Sequence, residues 1–176
     1  MTTRDDVLRR WEADEARVRA RLAAPGIAGP DAIKATSGID FLQRIFDGEL
    51  PSPPIGETLD FIPIEAERGR VVFQGRPDRR HYNPLGSVHG GYFCTLLDSA
   101  LGCAIQSTLP KGTGYTTLEL KVNLIRALTD DVGPVRAEGR VIHVGSRVGI
   151  AEATLTDADD RKYAHATTTC LIFPLP

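Results

Sequence analysis

A glycine pair in the segment from residue 81 to residue 102 has the position and the chemistry of an anion-binding site. Gly90-Gly91 falls where a long apolar run begins that is typical of a helix. Because glycine costs about 1 kcal/mol inside a helix, a pair there needs a reason. The first N–H groups of a helix are free, and the helix dipole favours negative charge beside them. A developing oxyanion is stabilised in this way. The alternative is that the glycines permit a tight turn or close packing of the helix.

An acidic residue lies inside the same apolar run. Asp98 follows Leu96 and Leu97 and precedes Ala100 and Leu101. A buried and unpaired carboxylate is costly, so this residue is either a catalytic group or a core residue bonded to a backbone group or an arginine. Gly90 and Asp98 are eight residues apart, which is about 12 Å along a helix. A donor and a nucleophile that serve one carbonyl must both lie about 3 Å from it. If both are catalytic, two copies of the helix must pair antiparallel across a two-fold axis.

The elements around these residues predict an α+β fold. Residues 87–109 contain no proline and are apolar on nearly all sides from Tyr92 to Ile105, which indicates a buried helix. Before it, a hairpin is expected that turns at Glu67-Arg68-Gly69. After it, strand-like runs joined by short turns predict antiparallel pairing at 115–127, 134–144, 147–156 and 161–173. In the first of these runs, successive residues are expected to alternate between the two faces of the sheet. One face would carry Leu118, Leu120, Val122 and Leu124, and the other Thr117, Glu119, Lys121 and Asn123. A curled sheet covers one side of such a helix, so the N-terminal helices or a second subunit must cover the other.

The first 50 residues predict a helical extension ahead of this domain, which would span residues 51–176. Residues 4–23 form a charged helical pattern with a narrow apolar stripe, and residues 24–36 are typical of a linker. A second helix is expected to begin at Ser37, with Asp40 three residues later. The prolines of residues 51–56 predict extended backbone.

Composition and charge exclude several classes of protein. The 176 residues carry 21 basic and 23 acidic side chains, a net charge of -2, which is unlike the basic surface of a nucleic-acid binder. No apolar run approaches the roughly 20 residues of a membrane helix, and the charged first twenty residues are unlike a signal peptide. The three cysteines cannot all pair within the chain, which favours a reducing cytoplasm. We therefore expect a cytoplasmic protein with neither nucleic acid nor membrane as a partner.

The segment 81–102 resembles the active-site segment of hotdog-fold acyl-CoA thioesterases of the phenylacetate-pathway type. The pattern of that family is an Asn, a Gly three residues later, His-Gly-Gly, and an acidic residue nine positions beyond the His. These are Asn83, Gly86, His89-Gly90-Gly91 and Asp98 in this sequence. The resemblance extends over roughly residues 50–174.

The resemblance implies a six-stranded antiparallel sheet wrapped round one long helix, in homodimers that commonly pair into homotetramers. The Gly90 N–H would polarise the thioester carbonyl, and Asp98 of the other subunit would attack it or activate water. Asn83 would orient the carbonyl or the water, Thr117 would hold the water, and His89 would support the loop or touch the thioester. We expect no metal and no cofactor, since coenzyme A is part of the acyl-CoA or aryl-CoA substrate.

The phosphates of coenzyme A call for basic groups near the entrance of the site. Lys121, Arg126 and Arg147 are the candidates, and the turn Gly145-Ser146-Arg147 matches one that often contacts the nucleotide in this family. We also expect Gly91, the second glycine of the pair, to contact the substrate. The alternative for each basic residue is a solvated charge at a strand edge.

Three other readings remain open. A hotdog hydratase or dehydratase would use His89 with Asp98 to move a proton at the α-carbon. A non-catalytic acyl-CoA sensor would use residues 1–50 as its effector arm, although such a sensor would be expected to lack an acidic residue like Asp98. A family member without efficient activity is the third.

Overall fold

The computed structural model describes residues 3–176 of the chain. In this part of the chain the α-helices are α1 (Arg4–Arg19), α2 (Pro30–Ala35), α3 (Gly38–Phe46), α4 (Pro54–Leu59) and α5 (Gly90–Gln106). The strands are β1 (Ala23–Pro25), β2 (Pro51–Ser52), β3 (Phe61–Glu67), β4 (Arg70–Gly75), β5 (Thr113–Leu124), β6 (Val135–Val144), β7 (Val148–Thr156) and β8 (Lys162–Pro174). Short 3-10 turns form at Arg79–His81 and Asp130–Val132.

A six-stranded sheet, in the order β3-β4-β6-β7-β8-β5, forms the body of the protein. Every neighbouring pair in it is antiparallel. Helix α5 lies on one face of this sheet and buries Leu96, Leu97 and Leu101 completely. The predicted α+β class and hotdog architecture, with one long helix against an antiparallel sheet, are confirmed.

Helix α1 packs on the opposite face of the sheet. Its Val18 joins Ile62, Ile64 and Val72 in a small apolar cluster separate from the core around α5. Helix α1 therefore does not cover the free side of α5. Helix α3 contacts α5, and its Gly38 N–H donates to the Leu109 carbonyl at 2.9 Å, just beyond the end of α5.

Helix α5 is not buried on all sides, contrary to the prediction from its composition. A half-exposed stripe runs along the helix, formed by Cys94, Thr95, Asp98, Ser99 and Cys103. Sequence composition alone did not separate this stripe from the core because all its members except Asp98 are small and at most weakly polar.

Three local predictions were wrong. The supposed linker 24–36 contains α2 and most of β1. The proline-rich run is extended only to Pro53, since Pro54 occupies the first turn of α4, where a fixed φ suits the helix and no N–H is needed. The alternation of β5 breaks at a bulge between Thr117 and Glu119, so Thr117 and Leu120 both face α5.

Other local predictions were confirmed, and one stays a prediction. Ser37 caps α3, where it accepts a hydrogen bond from the Asp40 N–H. The hairpin of β3 and β4 turns at residues 68–69. The domain boundary at residue 50 stays a prediction, and β2, just after it, pairs with β1 of the extension. Within residues 3–176, none of the helices combines the length and the apolar character that a membrane crossing requires.

Candidate active site

The start of α5 presents one free backbone donor. His89 is the N-cap residue, and its Nδ1 accepts a hydrogen bond from the Gly91 N–H at 2.9 Å. The His89 N–H in turn donates to the His81 carbonyl at 2.8 Å. Among residues 3–176, the Gly90 N–H makes no hydrogen bond. Of the two glycines, Gly90 is therefore the one whose N–H is available to a ligand at the positive end of the helix dipole.

The turn before the helix is fastened by the side chain of Asn83. Its Oδ1 accepts a hydrogen bond from the Leu85 N–H at 2.8 Å, and its Nδ2 donates to Ser87 Oγ at 3.1 Å. Gly86 closes the turn with a φ of +86°, a conformation that favours glycine. The amide of Asn83 therefore holds the loop that leads to Gly90, with one Nδ2 hydrogen left for another acceptor.

A cavity of about 240 Å³ opens beside this turn. Asn83, Gly90 and Arg126 line it together with the apolar side chains of Phe93 and Leu124. Leu124 lies so close to Gly90 that a Cβ added there would be 3.3 Å from Leu124 Cδ1. The cavity therefore combines a free N–H, an apolar wall and a cation.

Asp98 lies away from this cavity, in the half-exposed stripe of α5. It is not fully buried in the protomer, contrary to the prediction, and its Oδ1 accepts a hydrogen bond from Thr117 Oγ1 at 3.1 Å. Strand β5 runs antiparallel to α5, with Leu124 beside Gly90 and Thr117 beside Asp98. One protomer thus brings together Asp98 and Thr117, and separately Asn83, Gly90 and Arg126.

The remaining basic candidates are dispersed. Lys121 pairs with Thr167 on the outer face of the sheet, away from α5. The turn Gly145-Ser146-Arg147 joins β6 to β7, and Gly149 just beyond it packs on Ile105 at the far end of α5. That end is about 22 Å from Gly90, at 1.5 Å per helical residue. A ligand held by Arg126 and by this turn must be long or must lie between two protomers.

Two residues near the site were missed by the sequence analysis. His81 and Tyr92 are 7% and 3% exposed, and their rings stack with centroids 4.7 Å apart. Burial lowers the pKa of His81, with Arg80 adding to the effect, and burial raises the pKa of Tyr92. Neither His81 Nε2 nor the Tyr92 hydroxyl has a hydrogen-bond partner among residues 3–176. The sequence feature that could have indicated a place for His81 near the site is its position two residues before Asn83.

No metal site is apparent in the part of the chain that the structure describes. Within residues 3–176, no three His, Cys, Asp or Glu side chains are placed to hold a metal ion. All three cysteines are free, and Cys170 is fully buried behind Thr117.

Similarity to known proteins covers Gly90, Asp98, Thr117 and Arg126 of the candidate site. The model of the thioesterase superfamily matches residues 85–164. A putative esterase from Saccharolobus solfataricus is 33% identical over 113 residues, which cover 64% of this chain and 78% of that protein. A putative esterase from Halobacterium salinarum is 38% identical over 84 residues, 47% of this chain and 54% of that protein. The chain therefore spans about half the length of this second relative.

Solved structures with the same fold include two that are 27% identical to this chain. One is a putative thioesterase from Ralstonia eutropha JMP134, described as a phenylacetic acid degradation-related protein. Its TM-score is 0.67, and the match covers 73% of this chain and 97% of that one. The other is a protein from Streptococcus mutans UA159 with acetyl-CoA bound. Its TM-score is 0.60, and the match covers 65% of this chain and 90% of that one.

Proposed function

The chain belongs to the thioesterase superfamily, and from this premise we propose that it hydrolyses acyl-CoA or aryl-CoA thioesters as a homodimer or homotetramer. The free Gly90 N–H at the start of α5 carries the proposal, because it opens on a cavity with an apolar wall. The acetyl-CoA bound by the structural neighbour from Streptococcus mutans supports coenzyme A as the carrier of the acyl group.

The chemistry needs a polarised carbonyl and an attacking oxygen. The Gly90 N–H would donate to the thioester oxygen and stabilise the negative charge that develops there. The carboxylate of Asp98 would attack the carbonyl carbon and expel the coenzyme A thiolate, and water would then hydrolyse the resulting anhydride. As a general base, Asp98 would instead take a proton from water as the water oxygen attacks, and the thiolate would leave. Either route consumes one water and yields a carboxylic acid and a thiol.

A second copy of the chain would supply the missing half of each site. Gly90 and Asp98 are about 12 Å apart on one helix, so one carbonyl cannot reach both within a protomer. The stripe of α5 that carries Asp98 is half-exposed, and the neighbouring edge strand β5 exposes Leu118 and Leu124. A long edge strand with exposed apolar side chains is a template for pairing with another chain. Antiparallel pairing of two such edges would bring Gly90 of one protomer to Asp98 of the other.

The other assigned residues would act around this centre. Thr117 would hold the carboxylate of Asp98, and with it the attacking water, while Asn83 would keep the turn in place and offer its remaining N–H. Arg126 would meet the phosphates or the acyl carbonyl at the cavity. Gly145, Ser146, Arg147 and Lys121 would meet the nucleotide end of a substrate that lies between protomers. His89 uses Nδ1 to cap α5, which favours a supporting role over that of a general base.

The test is release of free thiol from a panel of acyl-CoA and aryl-CoA thioesters by the wild type, Asp98→Asn and Ser99→Ala. Ser99 lies beside Asp98 on the same half-exposed stripe, and its hydroxyl donates to the Thr95 carbonyl of the same helix, so it is the matched control. We expect Asp98→Asn to lose at least about 100-fold in kcat/KM and Ser99→Ala to keep the wild-type value. Light scattering with gel filtration would establish the oligomeric state of each sample. The absence of thiol release from a folded and oligomeric wild type would contradict the proposal.

A further inference from the structure

The N-terminal helix α1 contacts both segments that hold residues 79–82, the loop ahead of the active site. These segments are Asp60 and the turn 130–132. At its C-terminal end, Arg19 donates to Asp60 Oδ1 at 2.6 Å. The other oxygen of the same carboxylate, Asp60 Oδ2, accepts from Arg80 at 3.2 Å. Asp60 thus links the last turn of α1 to the 3-10 turn Arg79–His81.

The N-terminal end of α1 reaches the other flank of that loop. Arg4 donates to the Val132 carbonyl at 3.2 Å and forms an ion pair with Asp159 at 3.2 Å. Within the same 130–132 turn, Asp130 Oδ1 accepts from the Tyr82 hydroxyl at 2.6 Å, and the Asp130 N–H donates back to that hydroxyl at 2.9 Å. The two ends of α1 therefore contact Asp60 and the turn 130–132, which both bind residues 79–82.

The middle of α1 is fixed to the sheet, so its ends cannot move freely. Trp11 is buried beneath Arg136, whose guanidinium lies 4.6 Å from the ring centroid. Glu15 is buried and accepts hydrogen bonds from Arg76 and Gln74, each at 2.8 Å. A side chain with this many partners positions the helix more firmly than isolated surface pairs do.

Residues 79–82 hold the turn that leads to Gly90. The His81 carbonyl accepts the His89 N–H at 2.8 Å, and Tyr82 forms a β-bridge with Val88. His89 is the cap of α5, and the free Gly90 N–H follows it directly. A displacement of residues 79–82 would therefore be transmitted to Gly90.

We propose that α1 is a positioning element for the turn that leads to Gly90, and that the Arg19–Asp60–Arg80 link determines the position of Gly90. Asp60 and its partners are positioning residues, since none of them lines the cavity. The link is made of partly exposed pairs, which contribute little to stability. Its consequence for turnover is larger, because a misplacement of about 1 Å at a reacting group can cost up to about 100-fold in rate.

The test compares Asp60→Asn, Arg80→Gln, Arg80→Lys and the control Arg9→Gln with the wild type. Asparagine suits position 60, where φ is 51°, because it tolerates the left-handed conformation as aspartate does. Among residues 3–176, Arg9 pairs only with Asp6, which also lies in α1. The readouts are kcat and KM for the best thioester, hydrogen exchange of residues 79–91, and Tm.

We expect Asp60→Asn and Arg80→Gln to lower kcat about 5- to 10-fold, to accelerate exchange in residues 79–91, and to shift Tm by less than about 2 °C. Arg80→Lys retains the charge and should recover most of the loss, and Arg9→Gln should match the wild type throughout. Unchanged exchange in residues 79–91 would overturn the positioning role, whatever happens to kcat. Only the kcat readout rests on the proposed function, so an inactive wild type would contradict that function while the exchange result still decides the role of α1.

Discussion

The two faces of the central sheet carry helices of opposite character. Helix α5 packs into the apolar core and carries a single charged residue, Asp98, whereas α1 is charged along most of its length and buries only Trp11, Glu15 and Val18. Both helices are held on the same sheet, α5 chiefly on β4, β6 and β7 and α1 chiefly on β3, but by different forces. Apolar burial holds α5, whereas α1 is held by hydrogen-bonded ion pairs together with the buried side chains of Trp11 and Val18.

The polar groups of the two helices differ in how completely they are satisfied. On α1, Glu15 and Asp14 each bond arginines, and these partners outweigh burial and hold the pKa of both carboxyl groups below its ordinary range. On α5, within the described chain, Asp98 accepts a hydrogen bond only from the Thr117 hydroxyl, and the Gly90 N–H donates to no acceptor. Groups with all their partners in place fix the structure, and groups left unsatisfied at a half-exposed surface are the ones available to a substrate.

The largest expected effect comes from removal of the unsatisfied donor on α5. Proline at position 90 would delete the N–H, and helices accept proline at their first position. His89, with φ -63° and ψ 141°, already has the backbone that a residue before proline requires. We expect Gly90→Pro to lower kcat by about 100- to 1000-fold, the cost of one oxyanion-hole donor.

Gly90→Ala is the matched control for this change. It adds a methyl group near Leu124 but keeps the N–H, so its loss of activity should be much smaller than that of the proline variant. Circular dichroism and gel filtration would verify that both variants fold and assemble alike. Equal activity of the two variants would mean that the Gly90 N–H is not used, and would break the contrast between the helices.

The next effect tests the satisfied groups on α1. Glu15→Gln would leave the guanidiniums of Arg76 and Arg19 without their buried counter-charge. We expect unfolding free energy to fall by about 2 kcal/mol, less than for a fully buried pair because both arginines are partly exposed. Urea unfolding at pH 7 would measure it, with Arg17→Gln as the control for an exposed pair on the same helix. A loss no larger than that of the control would show that Glu15 is not structural.

Much of the fold could be predicted because its strongest signals are local. The apolar run from Tyr92 to Ile105 and the four strand-like runs after it confine the chain to a helix against an antiparallel sheet, and the structure confirms this. The failures have tertiary causes. The bulge at Leu118 changes which residues of β5 face α5, and the short elements α2, α4 and β1 depend on packing more than on their own sequence.

The candidate site was predictable only in part. The spacing of Gly90 and Asp98 predicted that they lie apart on one helix, as they do on α5. The family resemblance predicted that Thr117 holds the water, but not the hydrogen bond that Thr117 donates to Asp98. The roles of Asn83 in its own turn and of His81 beneath Tyr92 depend on three-dimensional contacts that no spacing rule contains. The docking of α1 on the outer face was not predictable either, because a charged helix with a narrow apolar stripe fits many surfaces.

A smaller effect on activity would sharpen the account of Asp98. Thr117→Val is close in shape and removes the hydroxyl that donates to the carboxylate. We expect kcat to fall about 10-fold with Tm nearly unchanged, since one hydrogen bond to a charged group is lost at a half-exposed position. Thr116→Val is the control, because Thr116 is exposed on the other face of β5. Equal kcat values for the two variants would show that the catalytic contribution of Asp98 does not depend on the Thr117 hydroxyl.

The smallest effect concerns His81, which lies between helix α5 and the link to α1. Its ring stacks on Tyr92 of α5, and it follows Arg80 of the link in sequence. Burial lowers the pKa of His81 from its ordinary value of 6.5, so below that pH the unfolded chain binds a proton that the folded chain does not. The stability that His81 contributes is therefore complete above pH 6.5 and is lost as the pH falls towards its lower folded pKa. Between pH 7.5 and pH 5.5, Tm should fall by about a degree or two more in the wild type than in His81→Gln, whereas the exposed His143→Gln should follow the wild type. An equal fall in all three proteins would show that His81 can be protonated in place, and that the junction between the two helices is open to water.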